Sequence, residues 1–402
     1  MKILHLLATL DPRAGGPTES VRQSGIEMVS MGHEVEVASL DAPDAPFISA
    51  FPLPTHALGP ARRNYGYTPR LVPWLREHAS HFDAVVINGL WQYFGFGAWK
   101  ALRDLDVRYY VFAHGMLDPW FKHAYPLKHL KKWLYWPWAE YRVLRDARAV
   151  LFTTEDERLL ARESFWLYRA NERVVSFGTS APPANAAHLR EQFWKTYPAL
   201  KNKRLILFLG RIHAKKGCDL LIRAFAKVAN LDKDAHVVIA GPDSTGWMAT
   251  LKTLAEELGI AHRITWPGML RGELKWGAFY ASDAFILPSH QENFGIAVAE
   301  ALACGVPVLI SNKVNIWREV QADCAGFIAQ DTIAGTEENL RRWLALDPIV
   351  RMEMRTQAAN TFNSRFTVQA MAKDLLNVLQ ADSTGLQHAS GSSSASVSPS
   401  KS

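Results

Sequence analysis

The stretch HQENFGIAVAEALACGVPVL, residues 290–309, carries two glutamates, Glu292 and Glu300, around the start of an expected helix. It follows the apolar, strand-like run 284–288, and the residues after Gly295 have the apolar spacing of a helix. Glu292 is then just ahead of the helix N-terminus, and Glu300 is two turns along it, roughly 80° round and about 12 Å up the axis. A strand, a loop, a helix and a second apolar strand form the repeating unit of a parallel α/β sheet.

The two glutamates are spaced to hold the two ends of one extended ligand. The free N–H groups and the dipole at a helix N-terminus favour an anion between them, which suits a nucleotide sugar. Two glutamates on one helix are more often solvated surface residues. However, Glu300 lies in the apolar stretch 298–302, where an ionised side chain needs a partner.

The composition indicates an ordinary soluble globular protein with two domains. The chain has 402 residues, whereas single cores stop growing near about 250–300 residues, and 48% of its residues are hydrophobic and 21% charged. No apolar run is long enough to predict a membrane-spanning helix, and the short apolar run at Ile3–Leu7 is expected to be a strand rather than a signal peptide.

The net charge of +6 permits a phosphate ligand or an anionic membrane and does not call for nucleic acid. The three cysteines lack metal-ligand spacing and fit reduced thiols of a cytoplasmic protein.

Short apolar strands alternate with amphipathic helices in two series, which predicts two Rossmann-like halves in tandem. The expected strands are Ile3–Ala8, Glu34–Ser39, Ala84–Asn88, Tyr109–Ala113 and Ala149–Thr153, then Leu205–Leu209, His236–Ala240, Ile264–Trp266, Ala284–Leu287 and Val306–Ile310. The interval 41–68 is expected to form loops. We expect one domain at 1–180, with 366–381 packing back on it, a second domain at 181–365, and a disordered tail at 382–402.

The loop GRIHAKKG, residues 210–217, is a candidate phosphate site because it follows a strand. Ligands of such sheets bind beyond the carboxyl ends of the strands. Arg211 and Lys216 would neutralise a pyrophosphate there, and their effect would grow as a leaving diphosphate gains charge. Either cation alone is more often a solvated surface residue.

Two further loops at strand ends carry candidates in the first half. In the stretch 14–20, Gly16 would present bare backbone to a ligand, although a tight turn with an N-capping Thr18 explains the glycines as well. His114 follows the strand 109–113 and precedes Gly115, a placement that favours a ligand contact.

Together, these motifs resemble the retaining GT-B glycosyltransferases of family 4, the glycosyl transferases group 1, which move a sugar from a nucleotide to an acceptor. The most specific signal is the loop 210–217 combined with the pair Glu292 and Glu300, and the resemblance extends from Met1 to about Leu379. It implies an α/β fold of the GT-B type, with two Rossmann-like domains that face each other across a cleft.

The resemblance also implies residue roles and a donor that is a GDP- or UDP-linked sugar, with mannose a frequent choice. Arg211 and Lys216 would hold the diphosphate, and Glu300 would bind the ribose hydroxyls. Glu292 would contact the transferred sugar, and His114 would touch it near the reacting carbon. The catalytic candidates are therefore His114, Glu292, Arg211 and Lys216. The remaining donor-binding candidates are Gly15, Gly16, Gly241, Trp266, Asn293, Phe294 and Gly295.

We expect a front-face displacement that needs no cofactor and no metal. Glu292 is the only candidate carboxylate near the sugar, and the resemblance assigns it to binding rather than to nucleophilic attack. The Asp-x-Asp at residues 104–106 stands at an expected helix end, where a turn is the simpler interpretation. The alternatives are a nucleotide-sugar epimerase on the same fold and a non-catalytic nucleotide- or glycan-binding module. A nicotinamide dehydrogenase is disfavoured because the first strand is not followed by G-x-G-x-x-G.

The segment 117–145 interleaves aromatic residues with lysines, a combination that suits the headgroup region of an anionic bilayer. We expect a glycan or lipid-linked saccharide as acceptor in surface polysaccharide synthesis, and peripheral attachment to the inner face of the plasma membrane. The alternative is that the aromatic residues pack a helical pair against the sheet, and Pro137 interrupts any long helix. The acceptor and membrane candidates are Trp120, Lys122, Lys131, Lys132 and Trp133.

Overall fold

The computed structural model of the protein describes residues 1–62, 64–120, 122 and 125–390, of which 382–390 are described as backbone only. Within these residues the chain forms two parallel sheets. The first has the strand order β3-β2-β1-β4-β5-β6-β7 and the second β10-β9-β8-β11-β12-β13. The strands of the first sheet are β1 Lys2–Leu7, β2 Glu34–Ser39, β3 Thr55–Ala57, β4 Ala84–Asn88, β5 Tyr109–Phe112, β6 Ala149–Phe152 and β7 Glu172–Val174. Those of the second sheet are β8 Arg204–Leu209, β9 Ala235–Ala240, β10 Ile264–Gly268, β11 Ala284–Leu287, β12 Val308–Ser311 and β13 Gly326–Ala329.

Helices connect the strands, as parallel pairing requires. In the first half they are α1 Gly16–Ser30, α2 Pro46–Ser49, α3 Leu71–His78, α4 Tyr93–Leu102, α5 Pro126–Tyr135, α6 Glu140–Asp146 and α7 Glu155–Ala161. In the second half they are α8 Ala186–Thr196, α9 Cys218–Val228, α10 Trp247–Glu257, α11 Gly272–Ala281, α12 Ile296–Ala303, α13 Trp317–Ala322, α14 Ile333–Leu344 and α15 Pro348–Arg365. The last helix is α16 Val368–Ser390.

The central strands are mostly apolar because helices cover both faces of each sheet. Successive side chains of a strand point to opposite faces, and β1 divides its residues accordingly. Leu4 and Leu6 belong to the core on one side of the first sheet. Ile3 and Leu7 belong to a core that continues into the second half. Both expected Rossmann-like sheets are therefore present.

Three short strands were not predicted from the sequence. Thr55–Ala57 lies in the interval 41–68, so the expectation of loops throughout that interval is wrong. This strand and Glu172–Val174 are the two edges of the first sheet, and Gly326–Ala329 is an edge of the second. Edge strands are covered less completely than central ones, so their sequences lack the long apolar runs that identified the others.

The last helix returns to the first half of the chain. The Asp374 carboxylate accepts hydrogen bonds from the backbone N–H and the hydroxyl of Ser176, both at 2.8 Å. The helix continues to Ser390, so the expectation of a disordered tail from 382 is wrong up to that residue. No proline interrupts 381–390, so the helical hydrogen bonding continues. The part of the expected tail at 391–402 lies outside the described residues.

In the part of the chain that the structure describes, no helix has both the length and the hydropathy needed to cross a bilayer.

Candidate active site

The carboxyl ends of the two sheets face each other across a cavity of about 310 Å³, the central cavity. Loops after β1, β5, β8 and β11 all contribute to it, as expected for ligand sites of parallel sheets. From the first half it is lined by Gly16, Pro17, His114 and Phe177. From the second half it is lined by Leu209, Gly210, Arg211, Lys216, Leu287 and residues 292–297. The structure thus brings together all four candidate catalytic residues.

Lys216 and Glu292 form a direct ion pair on the floor of this cavity. Gly217 lets the loop that carries Lys216 pass close to the backbone of Pro288. Its backbone is left-handed, with φ 68°, and a side chain there would overlap the Pro288 carbonyl. Burial, together with the nearby cations Lys215 and Arg211, lowers the pKa of Lys216 to about 7. The carboxylate of Glu292 favours the charged ammonium.

The backbone after Glu292 is fixed before it enters α12. The N–H of Glu292 donates to the Lys313 carbonyl at 2.9 Å, and Gly295 adopts φ 80° at the helix start. Ile296 and Ala297 line the cavity and belong to the first turn of α12. The backbone N–H groups of a first turn have no partner within the helix. The helix dipole and these N–H groups favour an anion at this position, and the anion site stays a prediction.

His114 is half-buried and held by ring packing. Its imidazole stacks on Phe112 with centroids 4.6 Å apart, and its Nε2 is 3.4 Å from Oδ1 of Asn88. Burial lowers the pKa of His114 to about 3, and the neighbouring His5 adds to this, so the imidazole is neutral. Because the Asn88 oxygen can only accept, we assign the proton of His114 to Nε2.

The loop that carries His114 is tied down by Glu157, a residue that the sequence analysis missed. The Glu157 carboxylate accepts hydrogen bonds from the Gly115 N–H at 2.5 Å and from the Thr153 N–H and hydroxyl, each at 2.7 Å. The Thr153 hydroxyl also accepts a hydrogen bond from Nδ2 of Asn293 at 3.0 Å, which joins the two halves. Burial raises the pKa of Glu157, and these donors oppose the shift. The sequence signal was the polar run TTEDE, which follows β6 at its carboxyl end.

Glu300 lies beside the central cavity rather than in its wall. It lines a second cavity of about 310 Å³, the lateral cavity, together with Glu19 and Lys275. Nζ of Lys275 is 2.5 Å from its carboxylate, so the expected partner of this buried glutamate exists. Burial raises the pKa of Glu300, and Lys275 opposes that effect. Lys275 was missed because it belongs to α11, and no motif links that helix to α12.

Phe294 is a packing residue of the site. Its buried ring makes edge contacts with Phe177, at 4.9 Å between centroids, and with Phe366, at 5.5 Å. The ring thus joins the loop after Glu292 to the first half and to the segment ahead of α16.

Besides Glu300, three of the expected donor-binding residues are not among those that line the central cavity. Gly15 has φ 96° and precedes α1, and its neighbour Gly16 supplies the lining backbone. Gly241 is enclosed by backbone, because its N–H donates to the Gly268 carbonyl at 2.8 Å and a side chain would overlap the Gly210 carbonyl. Trp266 is half-buried on the edge strand β10 and packs against the core.

The five acceptor and membrane candidates divide into two groups. Lys122, Lys131 and Trp133 are exposed. Trp120 instead lines a cavity of the cleft, and Lys215 lies 5.4 Å above its ring. Lys132 lies over Trp91 at 4.5 Å, and burial lowers its pKa to about 8.

Among the described residues, no cluster of three or more histidine, cysteine, aspartate or glutamate side chains could hold a metal ion. The expectation that the reaction needs no metal stays a prediction.

Comparison with known proteins identifies the family. The model of the glycosyl transferases group 1 matches residues 190–361, and that of the glycosyl transferase 4-like domain matches residues 15–178. The chain belongs to the glycosyl transferases group 1. The two matches together include both halves of the central cavity, which agrees with the resemblance found in the sequence.

Similar curated proteins include the D-inositol 3-phosphate glycosyltransferases of Mycolicibacterium gilvum and Gordonia bronchialis. The first is 38% identical over 42% of this chain, and the second is 27% identical over 63% of it. The chain spans 38% of the length of the first relative and 60% of the second.

Similar solved structures include sucrose-phosphate synthase of Thermosynechococcus elongatus, with a TM-score of 0.73 and 21% identity over 97% of this chain and all of that one. The Anabaena protein HepE in complex with UDP and glucose has a TM-score of 0.68 and 17% identity, over 96% of this chain and 99% of that one. Such likenesses establish the fold, and the expected GT-B architecture is confirmed.

Proposed function

We propose that this protein is a retaining glycosyltransferase that moves a sugar from a nucleotide to a glycan or lipid-linked acceptor. One observation carries the proposal: the central cavity places Arg211 and Lys216 opposite a helix start and beside Glu292 and His114. The cations and the helix start suit a diphosphate, and the glutamate suits the hydroxyls of the attached sugar.

The ion pair of Lys216 and Glu292 is the resting state of the donor site. An incoming diphosphate offers Lys216 a second, more highly charged partner, which releases the carboxylate of Glu292 to accept hydrogen bonds from the sugar. The donor thus replaces the contact between Lys216 and Glu292, and neither side chain needs to move far to bind it.

The reaction proceeds on one face of the sugar. The bond from the anomeric carbon to the diphosphate oxygen breaks while the acceptor oxygen bonds to that carbon. The acceptor's proton passes to the departing phosphate oxygen. Arg211 and Lys216 stabilise the charge that develops on the diphosphate. His114 is neutral, so it contacts the sugar without placing a positive charge beside the oxocarbenium-like centre.

The donor is a GDP- or UDP-linked sugar, and mannose and glucose are the first candidates. The solved complex of HepE with UDP and glucose supports a nucleotide-sugar donor for this fold. The D-inositol 3-phosphate glycosyltransferases are relatives by sequence, and a phosphorylated polyol is therefore a further acceptor to test.

We further propose that α5 attaches the enzyme peripherally to the cytoplasmic face of an anionic membrane. Its leucines Leu127, Leu130 and Leu134 are 78%, 54% and 59% exposed. The exposed Lys128 and Lys131 alternate with them, and PLKHLKKWLY contains no acidic residue. Exposed leucines beside lysines suit the interface of an anionic bilayer.

A thermal-shift panel of GDP, UDP, ADP and their sugars, in buffer that contains a chelator, tests the donor proposal. A nucleotide at a hundredfold excess over its Kd stabilises the protein by about 2.7 kcal/mol. A rise in Tm for one nucleotide series names the base and supports a site that works without metal. No shift with any nucleotide would contradict the donor site and favour a glycan-binding module, whereas acceptor-independent change of the donor sugar would favour an epimerase.

A further inference from the structure

A third cavity, of about 430 Å³, opens between the two halves of the chain, and the reaction described above does not use it. We call it the indole cavity, because Trp120 of the first half and Trp317 of the second both line it. It lies next to the central cavity, since its lining residue Gln291 directly precedes Glu292 in the chain.

Among the described residues, two buried amides in the lining of the indole cavity each have one atom without a hydrogen-bond partner. Oε1 of Gln291 and Nδ2 of Asn315 are unpaired, and both residues are only 5% exposed. The orientation of the Gln291 amide is fixed, because its Nε2 donates to Oδ2 of Asp118 at 2.8 Å. Buried polar groups without partners are costly, and these two offer one acceptor and one donor without charge.

The indoles are held in place by contacts with charged groups. Nε1 of Trp317 donates to Oδ2 of Asp156 at 2.7 Å, and Lys215 lies over the ring of Trp120. The ordered aromatic side chains therefore present apolar surface to the cavity at little entropic cost.

The lining of the indole cavity carries three carboxylates and two cations, Lys313 and Arg318, and this excess of negative charge disfavours a phosphate ligand. Two lining carboxylates have internal partners: Asp118 accepts from Gln291 and from the N–H of Trp120, and Asp156 accepts from Trp317 and Arg318. Glu163, Lys313 and the imidazole of His290 complete the ionisable side chains of the lining. A cavity with both signs of charge, two indoles and uncharged amides suits a neutral molecule that has an apolar face and many hydroxyls.

We propose that the indole cavity binds a saccharide ring of the acceptor. The C–H face of a pyranose would pack on an indole, and its hydroxyls would pair with the free amide groups of Gln291 and Asn315. This inference rests on the proposed glycosyl transfer, for which it identifies a neutral hexose as the acceptor unit recognised here. Because Gln291 directly precedes Glu292, a saccharide bound by the Gln291 amide lies beside the central cavity.

The surroundings of the indole cavity fit an acceptor attached to a lipid. Glu163 lines both this cavity and an apolar groove of about 670 Å³. Leu130 and Trp133 of α5 form part of that groove, with Phe165 opposite. A saccharide in the indole cavity can therefore continue past Glu163 towards the helix that we assign to the membrane surface.

Saturation-transfer difference NMR with the methyl glycosides of glucose, mannose, galactose and N-acetylglucosamine tests the inference on the full-length protein with saturating nucleoside diphosphate. We expect signals from at least one glycoside with the unaltered protein and with the control W138A, because Trp138 is 69% exposed and not among the residues of this cavity. In Asn315→Ala and Trp120→Ala the signals should fall at least tenfold.

Equal signals in all four proteins, or none with the unaltered protein, would overturn the saccharide site. The nucleotide-induced thermal shift, measured on the same samples, separates this failure from that of the proposed function. A retained shift without glycoside signals refutes the saccharide site alone. Glycoside signals that depend on Asn315 and Trp120, in a protein that no nucleotide stabilises, support the saccharide site and refute the donor site.

Discussion

At the scale of the residue, Lys216 and Glu292 determine whether the central cavity can work as a donor site. Their ion pair is largely buried, with 13% and 20% of the two side chains exposed. Breaking a buried pair by removing one member leaves the other charge without compensation. A ligand with a diphosphate at one end and hydroxyls at the other replaces the contact and satisfies both groups.

Lys216→Ala should therefore lower the rate of sugar transfer by about 100-fold or more, by analogy with the removal of a single electrostatic donor. Glu292→Ala should have an effect of similar size. Initial rates at saturating donor, with circular dichroism to confirm folding, measure both effects. The matched control is Lys203→Ala, a lysine of the same half that is 39% exposed and pairs loosely with Asp234 at 3.5 Å. Near-normal turnover in K216A or E292A would refute their roles.

The lowered pKa of Lys216 predicts proton uptake when a nucleoside diphosphate binds. With a pKa of about 7, part of the Lys216 population is neutral at pH 8. A bound diphosphate favours the ammonium and raises that pKa, so binding takes up protons above pH 7 and weakens as the pH rises.

Calorimetry at pH 8 in two buffers of different ionisation enthalpy measures this uptake. We expect different apparent binding enthalpies for the unaltered protein and a smaller difference for Lys216→Ala. Identical enthalpies in both buffers with the unaltered protein would show that Lys216 is already fully charged.

At the scale of the element, Glu157 couples the start of α7 to the loop that carries His114. Its carboxylate only accepts, and its recorded donors are Gly115 and both groups of Thr153. A glutamine at this position would turn an NH₂ group towards backbone N–H donors.

Glu157→Gln should accordingly lower the free energy of unfolding by about 1–3 kcal/mol, the cost of an unsatisfied buried group. Urea unfolding monitored by circular dichroism measures this loss. Glu155→Gln is the matched control on the same helix, because Glu155 is half exposed and its ion pair with Arg158 contributes little. Equal stability of the two variants would contradict the positioning role of Glu157.

The helix α5 gives a second prediction at this scale. The double variant K128E/K131E reverses two exposed charges and should weaken binding to vesicles that contain phosphatidylserine, since each basic residue near an anionic surface contributes about 1 kcal/mol. Co-sedimentation at low salt measures the loss. The control is K201E/K203E, which reverses two charges in the other half of the chain. Binding that is absent in the unaltered protein, or unchanged in K128E/K131E, would contradict the membrane proposal.

The comparison of sequence and structure at this scale shows what local pattern can predict. His114, Arg211, Lys216 and Glu292 were identified because each follows an apolar strand, and the carboxyl ends of parallel strands meet at one edge. Lys275 was not identified, because its pairing with Glu300 depends on how two helices pack. The edge strand Thr55–Ala57 was missed because its three residues show no usable periodicity.

At the scale of the whole molecule, polar contacts around the cleft join the two halves beside the shared hydrophobic core. Asn293 reaches Thr153, Gln291 reaches Asp118, and Asp156 accepts from Trp317. Contacts of this kind can break and re-form at modest cost, so domain movement can admit both substrates. The proposed donor site belongs mainly to the second half, whereas the exposed helix α5 belongs to the first.

The central claim is that the protein transfers sugar with retention of configuration. Proton NMR of the anomeric region at early times, with an α-linked UDP- or GDP-sugar and a methyl glycoside acceptor, tests it most directly. We predict an α-linked product and a free nucleoside diphosphate, formed in the presence of chelator and lost in Lys216→Ala. A β-linked product would contradict the front-face reaction, and the absence of any product with all donors and acceptors would contradict glycosyl transfer itself.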